Sequence, residues 1–159
     1  MAYASTRIKK SAARAYEAEM VETDEFVIQK PDGFLNVIGG DPAFVFEAYS
    51  KDFGGAGSED FRKATATLRV YDNVSENEIA ERIIGSGDTV VSDLTEIISE
   101  TRYRVIETGR SEKGVEVRDF YKIAGCNSKV YEFRISALTE TTAEFMHSIE
   151  SMLDSFELK

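Results

Sequence analysis

The chain has 159 residues, 42% of them hydrophobic and 30% charged, which is typical of a single globular domain with a substantial core. Its formal net charge of −10 argues against a nucleic-acid-binding protein, because phosphates would be repelled. The single cysteine, Cys126, excludes an internal disulfide. The sequence contains no run of about 18 apolar residues, so we predict no membrane-spanning segment.

The chain begins with a basic segment. Residues 5–20 are formally +2, so the remainder is −12 within the total of −10. The positive charges are Arg7, Lys9, Lys10 and Arg14. The apolar content is mostly alanine, which is compatible with a short helix, a frayed end or an arm that orders on a partner. We predict a basic arm over residues 1–23 before a single domain over residues 24–159, and we expect the first twenty residues to add little stability.

Most of the remaining chain has the alternating pattern of half-buried strands, bounded by Gly, Pro and Asp turn signals. The predicted strands are Glu25–Lys30, Phe34–Ile38, Ala43–Ser50, Lys63–Tyr71, Val90–Ser99, Arg102–Thr108, Val115–Ile123 and Val130–Leu138. Val90–Ser99 is also compatible with a helix. The turns Gly109 to Gly114 and Gly125 to Ser128 are short, and short turns join antiparallel neighbours.

Two helices are predicted from capping boxes followed by helical apolar spacing. The first follows Ser75 and has Ile79, Ala80, Ile83 and Ile84 on one side. The second is predicted to begin at Thr141, with Glu144 completing its box, and it presents Phe145, Ile149, Met152, Leu153 and Phe156. The pattern predicts an α+β fold, an antiparallel sheet flanked by helices in an α/β/α sandwich; the two helices could cover opposite faces.

An acidic loop surrounds the glycine-rich stretch Phe53–Ser58. It lacks the spacing of a phosphate-binding loop, and its carboxylates would repel phosphate. Asp52, Glu59 and Asp60 are weak candidates for a hard cation such as Ca²⁺, which binds several oxygens. A solvated surface loop is the alternative interpretation, and we predict no metal site and no cofactor.

Asp119 lies on the apolar face of a predicted strand. A carboxylate in that position is displaced by a bulge or paired with a neighbour, for which Arg102, Arg104 and Arg118 are candidates. One carboxylate does not define a catalytic site, so we assign no catalytic residue. His147 is predicted to point away from the core, and Cys126 lies in a predicted turn without a histidine partner nearby in sequence.

The order of these segments resembles a known family. A short arm leads to a hairpin containing Pro31-Asp32-Gly33-Phe34, an acidic glycine-bearing loop precedes Ala64–Tyr71, and a helix follows at Glu76–Ile84. The chain ends in a strand and a helix, with Ser155-Phe156 near the terminus. This pattern resembles the PsbP-like proteins, extrinsic subunits and assembly factors of photosystem II, whose fold recurs in Ran-release factors and DcrB-type lipoproteins.

The resemblance implies a non-catalytic binding module with a protein complex as partner, such as a membrane photosystem, and no nucleic acid. It implies the thylakoid lumen or another exported compartment; a cytoplasmic location is the alternative. In this family the arm helps docking, and here Arg7, Lys9, Lys10 and Arg14 occupy that place. Two other functions stay open: a chaperone-like carrier of an apolar segment, and a small enzyme that uses Asp119 and nearby arginines.

Overall fold

A computed structural model describes residues 14–159 of the protein. Its elements, in chain order, are β1 (Glu19–Glu22), β2 (Phe26–Lys30), β3 (Phe34–Asn36), β4 (Phe46–Ser50), β5 (Ala64–Asp72), α1 (Glu76–Ile84), β6 (Thr89–Ile98), β7 (Thr101–Glu112), β8 (Val115–Cys126), β9 (Lys129–Leu138), α2 (Ala143–Ser155) and β10 (Glu157–Leu158). The predicted α+β class is confirmed.

The strands form two antiparallel sheets. The larger sheet has seven strands in the order β3-β4-β5-β9-β8-β7-β6, and the smaller has the order β1-β2-β10. Strand β9 pairs with β5 on one side and β8 on the other, so the strand predicted at Val130–Leu138 lies in the middle of the larger sheet. The segment that was also compatible with a helix is strand β6, at one edge.

Strands β6 to β9 form a meander with connections of only two residues. Both residues of each connection have positive φ, as a type I′ turn requires: Ser99 and Glu100, Lys113 and Gly114, Asn127 and Ser128. These turns are tighter than predicted, because Gly109 lies within β7 and Gly125 within β8. The tight turns fix the register that brings side chains of β7, β8 and β9 together.

Both predicted helices are present, and one cap differs from the prediction. Ser75 caps α1 by accepting a hydrogen bond from the Glu78 backbone N–H at 3.1 Å. Helix α2 is capped by Thr142, not Thr141, because Thr142 has the extended backbone of a cap and accepts from the Phe145 N–H at 3.2 Å.

The two helices cover opposite faces of the large sheet. Ile79, Ala80 and Ile83 of α1 belong to the cluster that includes Tyr121 and Ile123 of β8. Helix α2 contributes its buried residues to the larger cluster, which includes the intervening β8 residues Phe120 and Ala124 and, from β2, Phe26 and Ile28. Because side chains alternate along a strand, these clusters lie on opposite faces. The small sheet therefore shares the α2-side core.

The N-terminal segment makes contacts with the rest of the protein from residue 16 onward. Residues 19–22, assigned to the arm by the sequence, form β1 and pair with β2. The buried Lys30 Nζ donates to the Glu17 and Phe34 carbonyls, both at 2.5 Å, and the Gly33 N–H donates to the Tyr16 carbonyl at 2.7 Å. We call these contacts the Lys30 anchor. These contacts favour a contribution of residues 16–20 to stability, so the expectation that the first twenty residues add little stays a prediction for residues 1–15 alone.

A second buried lysine supports helix α2. Lys122 Nζ donates to the Leu153 carbonyl at 3.4 Å and the Asp154 carbonyl at 3.1 Å. A cation there interacts favourably with the negative end of the helix dipole. Burial lowers the pKa of Lys122. Within residues 14–159, no helix has the length and apolarity needed to cross a membrane.

Candidate functional site

Helix α1 covers only one end of its face of the large sheet. Its apolar side chains share a cluster with Ile106, Tyr121, Ile123 and Val130. By strand alternation the same face continues past that cluster, with Arg69 of β5, Arg110 of β7, Asp119 of β8, and Glu132, Arg134 and Ser136 of β9. We call this uncovered part of the α1-side face the open half-face.

A shallow depression of about 410 Å³ lies on the open half-face. Four arginines line it: Arg62, Arg69, Arg110 and Arg134. Three carboxylates also line it: Asp60, Glu112 and Glu132. We call it the arginine depression. Four positive and three negative groups give its lining a formal +1, or zero with the nearby Asp119 included, on a chain whose total is −10.

Asp119 anchors two of these arginines from below. Its side chain is 0% exposed, whereas those of Arg110 and Arg134 are 24% and 37% exposed. Oδ2 accepts from Arg110 Nε at 2.7 Å, and Oδ1 accepts from Arg134 Nη2 at 3.1 Å and from the Ser136 hydroxyl. The predicted pairing of Asp119 is present, but with different partners. Arg104 pairs with Asp93 and Arg118 with Glu107 instead.

The ion pairs with Asp119 orient the two arginines. Although burial alone would lower it, the hydrogen bonds to Asp119 and Glu112 hold the pKa of Arg110 above its ordinary value. Arg134 uses Nε and Nη2 on Asp119, so its hydrogen bonds within the described chain leave Nη1 available. A guanidinium held along one edge presents its other edge to a ligand with little loss of side-chain entropy.

The remaining polar groups are perturbed by burial. Burial raises the pKa of the Glu132 carboxyl, against the lowering effect of Arg134 and Arg69. Burial also raises the pKa of Tyr121 to about 12. The Arg134 guanidinium lies 5.4 Å from the Tyr121 ring centroid, in the range of a cation–π contact. The arginine network therefore packs directly against the apolar cluster that lies beneath helix α1.

Aromatic rings support the other two arginines. The Arg69 guanidinium lies 5.6 Å from the ring centroids of both Phe44 and Tyr71. Arg62 lies 4.3 Å from the Tyr49 ring and 4.1 Å from the Phe53 ring. These positions combine planar cations with apolar surface, a composition enriched in the energetically important parts of protein interfaces.

The geometry is suited to binding rather than to proton transfer. Asp119 has both oxygens engaged, and it is not among the residues that line the depression. A general base must reach the proton that it abstracts, so Asp119 is poorly placed for that role. The depression is lined largely by charged and polar side chains, unlike the long apolar groove expected of a carrier.

The predicted arm residues are mostly outside the described part of the chain. Arg7, Lys9 and Lys10 lie in residues 1–13, and Arg14 is exposed at the start of the described segment. Their role in partner binding, like the division into an arm over 1–23 and a domain over 24–159, stays a prediction.

The acidic loop is exposed at all three candidate metal ligands. Asp52, Glu59 and Asp60 lie on the surface, and Glu59 accepts from the Gly57 N–H at 3.0 Å. Within residues 14–159, no group of three or more His, Cys, Asp or Glu side chains is arranged to hold a metal ion. His147 is exposed on α2, away from the core as predicted, and Cys126 is half-buried at the end of β8.

Sequence reasoning missed the arginines that matter most here. Arg110 lies beyond the strand predicted at Arg102–Thr108, because a two-residue turn extends β7 to Glu112. Arg134 lies within the strand predicted at Val130–Leu138, but its partner Asp119 is on the neighbouring strand of the sheet. The detectable signal was the charged residues Glu132, Arg134 and Asp119 on faces that also carry apolar side chains.

The sequence matches no protein-family model and no curated protein. Similarity appears among solved structures. The cyanobacterial PsbP protein CyanoP from Synechocystis sp. PCC 6803 superimposes with a TM-score of 0.61 at 12% identity, covering 91% of this chain and 94% of that one. LpqN, described as involved in cell envelope biogenesis of Mycobacterium tuberculosis, gives 0.65 at 9% identity, covering 94% and 96%.

A third similar structure is the Saccharomyces cerevisiae Ran-binding protein Mog1p, with a TM-score of 0.58 at 10% identity, covering 90% of this chain and 96% of that one. Each comparison spans nearly the whole of both chains, and identities this low show the fold alone. The chain has the PsbP-like fold, which these three proteins share.

Proposed function

We propose that this chain is a non-catalytic module that binds a protein partner through the arginine depression. The observation that carries the proposal is the position of Asp119, which is buried and holds Arg110 and Arg134, both of which line the depression, while Arg134 keeps Nη1 available. Such an arrangement preorganises donors for a ligand. Preorganised donors lose less side-chain conformational entropy on association than mobile side chains do.

The partner would present carboxylates in an extended or loop segment. Guanidinium groups bind carboxylates through paired, parallel hydrogen bonds, which gives both orientation and strength. The depression is formally near neutral on a chain of net charge −10, so an acidic partner is repelled least there. The rings beside Arg62 and Arg69 supply apolar contact around the charged centre.

The basic arm is a second contact in this proposal. Arg7, Lys9, Lys10 and Arg14 would meet an acidic patch on the same partner and speed its association, an effect that salt screens. The PsbP-like fold supports a finer form, in which the chain is an extrinsic or assembly subunit of photosystem II in the thylakoid lumen or a related exported compartment. The Ran-binding protein Mog1p has the same fold, so identifying the partner would decide between a photosystem subunit and another kind of binding protein.

The test is a co-purification from the native organism with charge-reversal variants. Tagged wild-type protein should retain a defined partner, identified by mass spectrometry. Arg69→Glu should weaken retention at least tenfold, because it reverses a charge in the depression without touching the Asp119 ion pairs. The matched control is Arg102→Glu, the same change at an exposed position of β7 outside the depression.

The outcomes separate the hypotheses. Equal retention by Arg69→Glu and the control would refute the role of the depression. Photosystem II subunits in the retained fraction would support the finer assignment, and a nucleotide-dependent or envelope partner would replace it. Turnover of a co-purifying small molecule would favour the alternative hypothesis that the protein is an enzyme.

A further inference from the structure

The large sheet ends in two edges that differ in length and protection. At one edge, β3 has three residues. At the other, β6 has ten residues and pairs only with β7 in the described chain. Long edge strands usually carry a proline or an outward lysine that prevents pairing with another chain. Strand β6, with the sequence TVVSDLTEII, has neither, and the bulge that it does have lies near its start, between Val90 and Ser92.

The side chains of β6 are unusually apolar for an exposed edge. Leu94 is 59% exposed and Ile97 is 74% exposed, and Val90 and Val91 are also exposed. The two carboxylates of β6 already have cationic neighbours. Asp93 accepts from Arg104 at 2.9 and 2.7 Å, and the charge of Glu96 acts on Lys122, where it opposes part of the lowering of the Lys122 pKa by burial. The strand therefore has less unpaired negative charge than its sequence suggests.

We propose that β6 pairs antiparallel with β6 of a second copy of this chain, with Leu94 opposite Leu94 on the two-fold axis. In that register Asp93 faces Thr95, and Glu96 faces Ser92 of the other copy. Ile97 faces Val91 at the bulge that separates Val90 from Ser92. Every carboxylate then meets a hydroxyl, and each apolar side chain named here meets another apolar side chain.

Neighbouring registers lack this match. A shift by one residue places Asp93 opposite Glu96 in one direction and opposite Leu94 in the other. A shift by two residues places Asp93 opposite itself, or Glu96 opposite Leu94. Like charges opposed across two strands destabilise the pair, as does a carboxylate against an apolar side chain. The sequence of β6 is therefore self-complementary in one register, which is why a second copy is the proposed occupant.

The pairing would join two seven-stranded sheets into one continuous sheet. Antiparallel edge pairing requires a two-fold axis perpendicular to the sheet, so both open half-faces lie on the same side of the dimer. Because the contact consists of one strand pair, we expect a weak dimer that dissociates on dilution from about 100 μM to about 1 μM.

Analytical ultracentrifugation of the full chain tests the proposal. Wild type should pass from monomer to dimer over that concentration range. Leu94→Lys places two ammonium groups face to face on the axis and should weaken dimerisation at least tenfold, with an unchanged circular dichroism spectrum. The control is Ile38→Lys, the same change in chemistry at a residue that is 93% exposed in the loop between β3 and β4; it should dimerise like wild type.

A cysteine scan tests the register. In a Cys126→Ser background, Leu94→Cys should form an intermolecular disulfide under mild oxidation, because equivalent residues on the axis bring their Cα atoms within the range of a disulfide. Thr95→Cys lies opposite Asp93 and should crosslink at least tenfold more slowly. A wild-type chain that stays monomeric at about 100 μM, or equal crosslinking by both cysteines, would overturn the proposal.

Discussion

The Asp119 network makes a quantitative prediction about burial. Asp119→Asn keeps the shape of the side chain but replaces one oxygen with an N–H₂ group. Oδ2 accepts from Arg110 and Oδ1 from Arg134 and Ser136, so either orientation of the amide directs its donors at another donor. Breaking a buried ion pair on one side typically costs about 3–5 kcal/mol.

We expect about 3 kcal/mol of lost unfolding free energy, at the low end because the arginines are partly exposed and can be hydrated. For a chain of this length that corresponds to a melting temperature lower by about 6–12 °C. Urea unfolding followed by circular dichroism measures the loss. Below the melting temperature, partner binding should weaken without being abolished, because Asp119 is not itself a contact but holds Arg110 and Arg134 in the orientation that the proposed contact uses.

The matched control is Asp93→Asn. Asp93 also receives two hydrogen bonds from one arginine, Arg104, at 2.9 and 2.7 Å, but its side chain is 31% exposed. Exposed pairs of this kind contribute about 1 kcal/mol or less. The two variants therefore differ in burial and in the number of arginines that the carboxylate holds, two for Asp119 and one for Asp93. Similar losses for both, or an unchanged midpoint for Asp119→Asn, would contradict the view of Asp119 as a buried electrostatic anchor.

Three further predictions follow from the core, the tyrosines and the N-terminal segment. Leu153→Ala should cost about 2–5 kcal/mol in urea unfolding because Leu153 is buried; Phe145→Ala should cost about 2 kcal/mol because it is partly buried, and Ile84→Ala, half-exposed, serves as control. The raised pKa of Tyr121, about 12, contributes stability below the unfolded pKa near 10 that is lost as pH rises through 12; wild type should therefore lose more stability over that window than Tyr121→Phe, and equal slopes would contradict this. Removal of residues 1–13 should leave the melting temperature nearly unchanged, whereas removal of residues 1–20 should lower it by several degrees, since only the longer deletion takes the Glu17 carbonyl from Lys30.

The sequence predicted the elements whose pattern is local. Period-two alternation located β5, β8 and β9, and a capping residue with helical spacing located α1 and α2. Strands β1 and β10 were missed because they are four and two residues long and depend on pairing with β2, which is distant in sequence from β10. A strand of only two to four residues is too short to show a recognisable alternation of apolar and polar residues.

The site was harder to predict for a related reason. Asp119 was recognised as a carboxylate that needed a partner, but the choice of Arg110 and Arg134 depends on register across three strands. Two-residue turns set that register, and the predicted turns were longer. The buried Lys30 and Lys122 were missed too, because a lysine in an alternating strand normally marks a position exposed to solvent.

The Lys30 anchor gives the segment that precedes it a fixed starting point on the domain. The chain is fixed to the domain from Tyr16 onward, so the nine steps of chain back to Arg7 extend at most about 32 Å. Chain length alone therefore limits the distance from Tyr16 at which the backbone of Arg7 can meet a partner. An acidic partner surface can contact Arg7 only within that distance of Tyr16. A change in the residue at which the chain is anchored would change that distance.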